Sequence, residues 1–266
     1  MNKLVLVSVT LAIGAGSAVA ADLPIKAPPT AVVFSWTGLY VGAHVGGVWT
    51  RAQQSLFVDP NIGNYIGSIN AGAISAAGTF AQNRTGIEGG IQFGYNVQAD
   101  FFLAGVEADI AFLEGKTPTR VTAIFPPGTG LTGQLFSLTN SIDTTWLATL
   151  RLRTGITLDH WLLYVTGGLA IRDRKNDFAF SGPGPALAAF NNSRIVTMGT
   201  VGAGIEYAFR NGWSIKAEYL YVGRAIFDVV GQITEPGTPV FQQVSLTQEA
   251  TLHVARLGVN YRFGAP

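Results

Sequence analysis

Residues 251–263 read TLHVARLGVNYRF, and this stretch decides the fold. The side chains change character at every step, so that Leu257 and Val259 fall on one side of an extended chain and Arg256 and Asn260 on the other. Successive side chains of a strand point to opposite faces. The stretch therefore predicts a strand with one apolar and one polar face, as expected for a wall between lipid and a polar interior.

The same alternation recurs along the chain. Two of the segments, 36–49 and 161–171, alternate less cleanly because they are rich in glycine. An even number of alternating strands is typical of bacterial outer-membrane barrels. The clearest parts of the eight predicted strands are residues 36–49, 87–96, 106–110, 146–153, 161–171, 200–207, 213–221 and 251–263.

Composition excludes several classes of protein. Of the 266 residues 48% are hydrophobic and only 12% are charged, whereas soluble domains carry roughly 25% charged residues. The high apolar content argues against disorder, and a net charge of +1 without a basic patch argues against nucleic-acid binding. The absence of cysteine excludes disulfides and thiolate metal sites.

The N-terminus has the features of a secretory signal. Lys3 precedes a short apolar run, and Ala18-Val19-Ala20 matches a cleavage site. The alternative, a membrane-spanning helix, is disfavoured because the run is too short. We predict a signal peptide over 1–20, a proline-rich periplasmic tether over 21–35, and a barrel over 36–263.

No later segment predicts a membrane-spanning helix. The uncharged stretches 61–83 and 121–142 contain Asn, Gly, Ser or Pro rather than a sustained apolar block, and we interpret them as loops. In lipid, the alternative to a helix is a closed β-barrel. The fold prediction is therefore an all-β, eight-stranded antiparallel transmembrane β-barrel, preceded by a cleaved signal peptide.

Connection lengths orient this barrel. Three connections are short, at 96–100, 157–160 and 210–212, and they alternate with four predicted long loops at 51–84, 115–143, 173–193 and 227–249. Short turns are periplasmic in this class, so both termini are predicted to be periplasmic. Proline cannot donate to a strand ladder, and eight prolines fall in the long loops and none in a predicted strand: Pro60, Pro118, Pro126, Pro127, Pro183, Pro185, Pro236 and Pro239.

Aromatic side chains are expected at the two membrane interfaces, where amphipathic rings prefer to lie. The alternative is that they form core stripes of a soluble barrel. The predicted interface residues are Trp36, Trp49, Tyr95, Trp146, Trp161, Trp213, Tyr261 and Phe263.

Charged side chains on the polar faces of the strands point into the predicted lumen. An eight-stranded barrel is just wide enough for side chains to fill, and buried charges must be paired. We predict a salt-bridge network that plugs the lumen, with a gated or narrow ion pathway as the alternative. Its predicted members are Glu88, Glu107, Asp109, Arg151, Arg153, Glu206, Lys216, Glu218, Arg256 and Arg262.

Four blocks carry a family resemblance: WTGLYVG at 36–42, LYVTGG at 163–168, KAEYLY at 216–221 and RLGVNYRF at 256–263. Together with the exported N-terminus, they resemble the opacity-protein-like surface antigens of Gram-negative bacteria, also called outer-membrane immunogenic or porin-family proteins. The resemblance implies an eight-stranded, OmpA/OmpX-like barrel in the cell outer membrane and no single molecular activity. Such chains usually end on an aromatic residue, whereas here 264–266 follow Phe263.

Catalysis is not expected. The three histidines, His44, His160 and His253, are isolated and lack metal-site spacing, so we predict no enzyme activity, cofactor or metal. A barrel hydrolase using His253 is the alternative, but no serine lies two positions away.

The expected role is structural, as an envelope protein and surface antigen. An adhesin acting through the four long loops, or a narrow small-solute porin, is the alternative. The expected partners are outer-membrane lipid, lipopolysaccharide and the barrel-assembly machinery during insertion. A host ligand of unspecified chemistry is the alternative partner, and nucleic acid is not expected.

Overall fold

A computed structural model describes residues 34–62, 66–114, 117–183, 187–235, 237 and 239–264. The predicted signal peptide and nearly all of the predicted tether lie outside these residues. Within them, no helix is long and apolar enough to cross a membrane.

The described chain forms ten strands and one short helix. The strands are β1 (Gly38–Val58), β2 (Phe80–Ala99), β3 (Phe102–Leu113), β4 (Thr117–Ile124), β5 (Leu135–Asp143), β6 (Trp146–Leu158), β7 (Trp161–Ser181), β8 (Leu187–Ala208), β9 (Trp213–Thr234) and β10 (Phe241–Arg262). The helix is α1 (Ser68–Ala77).

Eight of the strands close into a ring. They follow the order β7-β6-β3-β2-β1-β10-β9-β8, every pair is antiparallel, and β8 pairs again with β7. This confirms the predicted eight-stranded antiparallel barrel. The other two strands, β4 and β5, form a hairpin that attaches to the far part of β7.

The register fixes the shape of the ring. Following paired residues once around from Trp49 returns to Leu39, ten residues back on the same strand β1. Closing a sheet with such a stagger forces the strands to tilt by roughly 35–45° from the barrel axis. The tilt brings Trp49 of β1 and Trp146 of β6 close to one height.

The end of the barrel that holds both described chain ends, here called the proximal end, has short turns. Asp100, Asp159 and Gly212 adopt positive φ angles of 54°, 54° and 83° in the three connections. The short connection predicted at 210–212 is confirmed, and Gly212 supplies a left-handed conformation that other residues rarely adopt.

The four predicted long loops are largely wrong, because the strands continue through them. The strands of the barrel wall continue beyond the height of Trp49, and we call this continuation the distal extension. It comprises residues 50–58, 80–86, 172–181, 187–197, 224–234 and 241–251 together with α1, β4 and β5. Pro118 lies in β4, which corrects the expectation that every loop proline avoids strands; β4 is an edge strand, where proline is tolerated.

Along β10 the polarity of the wall reverses in the distal extension, although apolar side chains of other strands, among them Phe57 and Val230, stay exposed there. On β10, Val244 and Leu246 point inward and are buried, whereas Ser245 and Thr247 point outward. A core of apolar side chains therefore fills the distal extension, as in a soluble barrel. Its largest buried members are Phe125, Phe136, Phe178, Phe180 and Phe227, and Ile74 of α1 packs among them.

Candidate functional site

The lumen of the barrel holds an ion-pair network, here called the lumen network, made of eight side chains on five strands. Its cations are Arg151, Arg153, Lys216 and Arg256, and its carboxylates are Glu107, Asp109, Glu206 and Glu218. Along β3, β6, β8, β9 and β10 these residues alternate with outward-facing apolar residues. Since successive side chains of a strand point to opposite faces, all eight point into the lumen.

Arg151 is the most connected cation. Its guanidinium donates to Glu107, to Asp109 Oδ2 at 2.8 Å and to Glu218 Oε1 at 2.9 Å. Nε adds a hydrogen bond of 2.9 Å to the hydroxyl of Thr149. The planar fork of arginine suits several carboxylates at once, so Arg151 links strands β3, β6 and β9.

Arg153 and Lys216 extend the network toward the proximal end. Arg153 donates to Glu206 Oε2 at 2.7 Å, and its guanidinium lies 4.1 Å from the centre of the Tyr164 ring. Lys216 Nζ donates to Glu107 Oε2 at 3.0 Å and lies 3.8 Å from Glu218 Oε2. All of these groups are nearly inaccessible to solvent, so the charges are held against one another rather than by water.

Arg256 joins the network from β10. It donates from Nε to Glu218 Oε2 at 2.7 Å and from Nη1 to Asp109 Oδ1 at 3.2 Å. The four cations thus share four carboxylates, and fully connected networks of this kind hold one arrangement of side chains.

Two predicted members are not among the eight side chains of the lumen network, although Glu88 connects to it through His44, whose Nε2 lies 3.3 Å from Arg256 Nη1. Glu88 is buried, and its partner is the imidazole of His44 at 3.1 Å. Arg262 stacks on the rings of Phe34 and Trp36, with its guanidinium carbon 4.5 and 5.6 Å from their centres. Sequence alternation placed both residues inside but did not identify their partners.

Sequence reasoning missed two tyrosines that complete the network. Tyr40 donates its hydroxyl proton to Glu107 Oε2 at 2.7 Å, and Tyr164 donates to Glu218 Oε1 at 3.0 Å. Both lie on the glycine-rich strands β1 and β7. The sequence feature that could have indicated these tyrosines is a glycine on the inward face opposite each ring. A Cβ on Gly204, for example, would lie 2.5 Å from the Tyr164 hydroxyl.

The network is enclosed by apolar layers along the axis. On the distal side lie Val48, Leu147, Leu220, Leu252 and Val254, all buried in the lumen. On the proximal side lie Trp36, Leu103, Leu162 and Ala208. The lumen is therefore filled with side chains at three successive levels.

Trp36 corrects the interface prediction, since its side chain is 2% exposed. It precedes β1, and the chain there crosses the proximal mouth, where the Trp36 backbone N–H donates to Gln98 Oε1 at 2.7 Å. The ring closes the mouth instead of facing outward. The remaining predicted interface aromatics lie on the outward face, with Trp146 half-buried and the others exposed: Trp49, Tyr95, Trp161, Trp213, Tyr261 and Phe263.

His253 lies on the outward face of β10, away from the lumen network. Its Nδ1 is 2.5 Å from the Tyr219 hydroxyl, and its ring packs against that of Tyr221. Among the residues that the structure describes, no group of three or more His, Asp or Glu side chains is placed to hold a metal ion.

Comparison with known proteins gives a family match. The family model described as outer membrane protein beta-barrel domain matches residues 8–263. The chain belongs to this family. As an outer membrane beta-barrel protein it shares 30% identity with the 31 kDa outer-membrane immunogenic protein of Brucella melitensis, over 99% of this chain and all of the relative. The protein of the same name from Brucella suis matches equally.

Solved structures of outer-membrane proteins also align with the barrel. OprG from Pseudomonas aeruginosa aligns at 15% identity with a TM-score of 0.42, covering 85% of this chain and 97% of OprG. Ail, the attachment invasion locus protein of Yersinia pestis, aligns at 13% identity with a TM-score of 0.30, covering 80% of this chain and 97% of Ail.

Proposed function

We propose that this outer membrane beta-barrel protein is a structural component of the envelope and a surface antigen, with a closed lumen and no catalytic activity. The observation that carries this proposal is the lumen network, which occupies the barrel interior between two apolar layers. An eight-stranded barrel whose interior is filled has no water-filled route for solutes.

The orientation in the membrane is part of the same proposal. The proximal end, with its short turns, faces the periplasm, and the distal extension projects from the cell surface. Lipid and lipopolysaccharide contact the apolar outward face, and the barrel-assembly machinery inserts the chain after signal-peptide cleavage. Antibodies raised against the refolded protein should bind intact cells, and mutant cells that lack it should leak periplasmic enzymes more readily.

Planar-bilayer recording tests the closed lumen. The refolded protein, whose folding is verified by heat-modifiable gel mobility, should insert without steady conductance. A steady conductance from the wild-type protein would overturn the proposal in favour of a narrow small-solute porin. As a positive control, the double variant Arg151→Ala/Lys216→Ala removes two central cations and should raise the frequency of openings.

The absence of catalysis has its own test. His253 faces outward with tyrosines as its ring neighbours, and a covalent catalyst needs a nucleophile and a base within reach. Refolded protein should show no lipid A deacylation and no ester hydrolysis. Turnover that disappears in His253→Ala would establish an outer-membrane hydrolase instead.

An adhesin is the second candidate, favoured by the outward surface of the distal extension. Ile124 and Leu135 face each other across the β4–β5 hairpin and are 62% and 63% exposed. Exposed apolar groups near one another commonly mark interaction surfaces. Cells in which a short turn replaces the β4–β5 hairpin should then bind host cells less than wild-type cells do; equal binding would reject this candidate.

A further inference from the structure

Two buried arginines lie in the distal extension. Unlike the arginines of the lumen network, which is nearer the proximal end, they have no carboxylate partner among the described residues. Arg172 and Arg174 follow each other on the inward face of β7 and are 3% and 0% exposed. Within the described part of the chain, neither forms an ion pair. Asp173, between them, accepts instead from the backbone N–H groups of Thr145 and Trp146 at 2.8 and 3.0 Å.

Their hydrogen-bonding capacity is largely unused. Arg174 donates once, from Nη2 to Gln248 Oε1 at 2.5 Å, while its Nε and Nη1 are buried without an acceptor. Nε of Arg172 is likewise buried without an acceptor. Arginine carries five N–H donors, and unsatisfied buried donors of native structures commonly mark an absent ion or water.

Burial also acts on the charged state of both groups. It lowers the pKa of Arg172 to about 10, against the opposing effect of Asp173, and burial together with the charge of Arg172 lowers the pKa of Arg174 to about 9. Both guanidinium groups stay charged at neutral pH, so two neighbouring cations are buried in the distal extension, where Arg174 contacts the amide of Gln248 and the ring of Phe227.

A cavity of about 80 Å³ lies against Arg172 and reaches through the barrel wall. Its lining includes the inward-facing Arg84, Thr50 and Ala250, and also the outward-facing Ile87 and Glu114. A volume of this size holds several waters or a small anion. Because residues of both faces line it, the cavity opens sideways, at the height of Trp49.

The opening follows from the lengths of the strands. The last backbone bond between β2 and the chain after β3 joins Glu114 N to Ile87 O at 3.1 Å. Beyond it, described residues of β2 pair with β1 alone, and β4 pairs with β5 alone. Side chains bridge this seam: Gln82 Nε2 and Arg84 Nη2 both donate to the hydroxyl of Thr119.

We propose that this cavity is a binding site for a phosphate-type anion, which enters through the seam between β2 and β4 and is held by Arg172, with Arg84 on the facing wall and Arg174 adding charge. Guanidinium groups bind phosphate through paired, charge-assisted hydrogen bonds. The anion is either free in solution or the phosphate of a lipid head group, since the opening lies at the level where interface aromatics lie.

Thermal unfolding in a nonionic, phosphate-free detergent tests the site, because a ligand that binds only the folded state raises the melting temperature. Two probes separate the sources: inorganic phosphate, and diphosphorylated lipid A compared with its dephosphorylated form. The site predicts that at least one phosphorylated probe stabilises the wild-type protein. If only lipid A does so, the source is a head group; stabilisation by neither phosphorylated probe overturns the proposal.

Variants test whether the phosphorylated probe stabilises the protein by binding in the cavity. Arg172→Gln removes an unpaired buried charge, so it should fold at least as stably as wild type without anion and should bind the active probe about tenfold or more weakly. Arg51→Gln is the matched control, since Arg51 lies at the same height on β1 but points outward. An equal loss in Arg51→Gln would assign the effect to surface charge and overturn the proposal. If Arg172→Gln does not fold, Arg174→Gln takes its place.

Discussion

Glu107 is in ion-pair contact with all four cations of the lumen network, which makes it the residue on which the filled lumen depends most. Alternation alone placed Glu107 and its partners inside, because a one-residue shift would put every charge into lipid. The pairing within the lumen could not be predicted, since it depends on the register of strands far apart in sequence. The tyrosine contacts stayed hidden for the same reason.

Replacing Glu107 with glutamine should destabilise the barrel strongly. The change leaves buried cations under-compensated, and breaking a buried ion pair costs about 3–5 kcal/mol. Urea unfolding in detergent micelles measures the difference in the free energy of unfolding. The control is Glu249→Gln, whose partner Arg224 lies 3.0 Å away in a solvent-exposed pair; that change should cost no more than about 1 kcal/mol. Equal effects of the two changes would contradict the account of the network.

Gly204 tests whether inward glycines make room for the rings. An alanine there places a methyl group 2.5 Å from the Tyr164 hydroxyl, and overpacking of this kind costs about 1–3 kcal/mol. Gly199→Ala on the same strand is the control, because a Cβ there meets nothing within 4 Å. The same unfolding measurement applies. A Gly204→Ala protein as stable as Gly199→Ala would show that the lumen is loosely filled.

At the scale of elements, β10 keeps one phase but changes polarity along its length, whereas β9 changes phase at a bulge between Val222 and Ala225. On β10 the inward side chains are Val244 and Leu246 in the distal extension and Arg256 and Asn260 in the barrel proper. The sequence predicted strands only in the part of the wall that contacts lipid, because only there do apolar side chains point outward and polar ones inward. The distal strands escaped prediction because their outward side faces water and their inward side forms an apolar core.

Arginine scanning of the outward face should locate the change of polarity. Leu257→Arg puts a charge where 66% of the side chain faces lipid, at a cost of roughly 2–4 kcal/mol near the bilayer midplane. Val230→Arg is the matched substitution in the distal extension, where the side chain is 64% exposed, and it should be nearly neutral. Unfolding from phospholipid vesicles measures both. Similar costs at the two positions would mean that the membrane boundary is misplaced.

At the scale of the whole molecule, eight strands close into a staggered ring. The lumen of this ring is filled by the lumen network and by an apolar layer on each side of it, and the distal extension adds a separate apolar core. The fold class followed from the sequence because eight strands share one pattern. The hairpin β4–β5 and the lateral seam did not follow, since they depend on where β3 ends relative to β2. Trp36 was misplaced for a similar reason, as the path of the chain across the mouth is a tertiary feature.

The most direct test of the central claim is NMR of the methyl-labelled protein in lipid nanodiscs. Methyl groups lie on both faces of the wall: Leu257 and Val259 of β10 point outward, and Val254 of β10 and Leu220 of β9 point into the lumen. The account predicts cross-relaxation between acyl-chain protons and the first pair, and none with lipid or water for the second. Lipid contacts at Val254 or Leu220, or persistent water contacts there, would contradict a lipid-bathed barrel with a filled lumen.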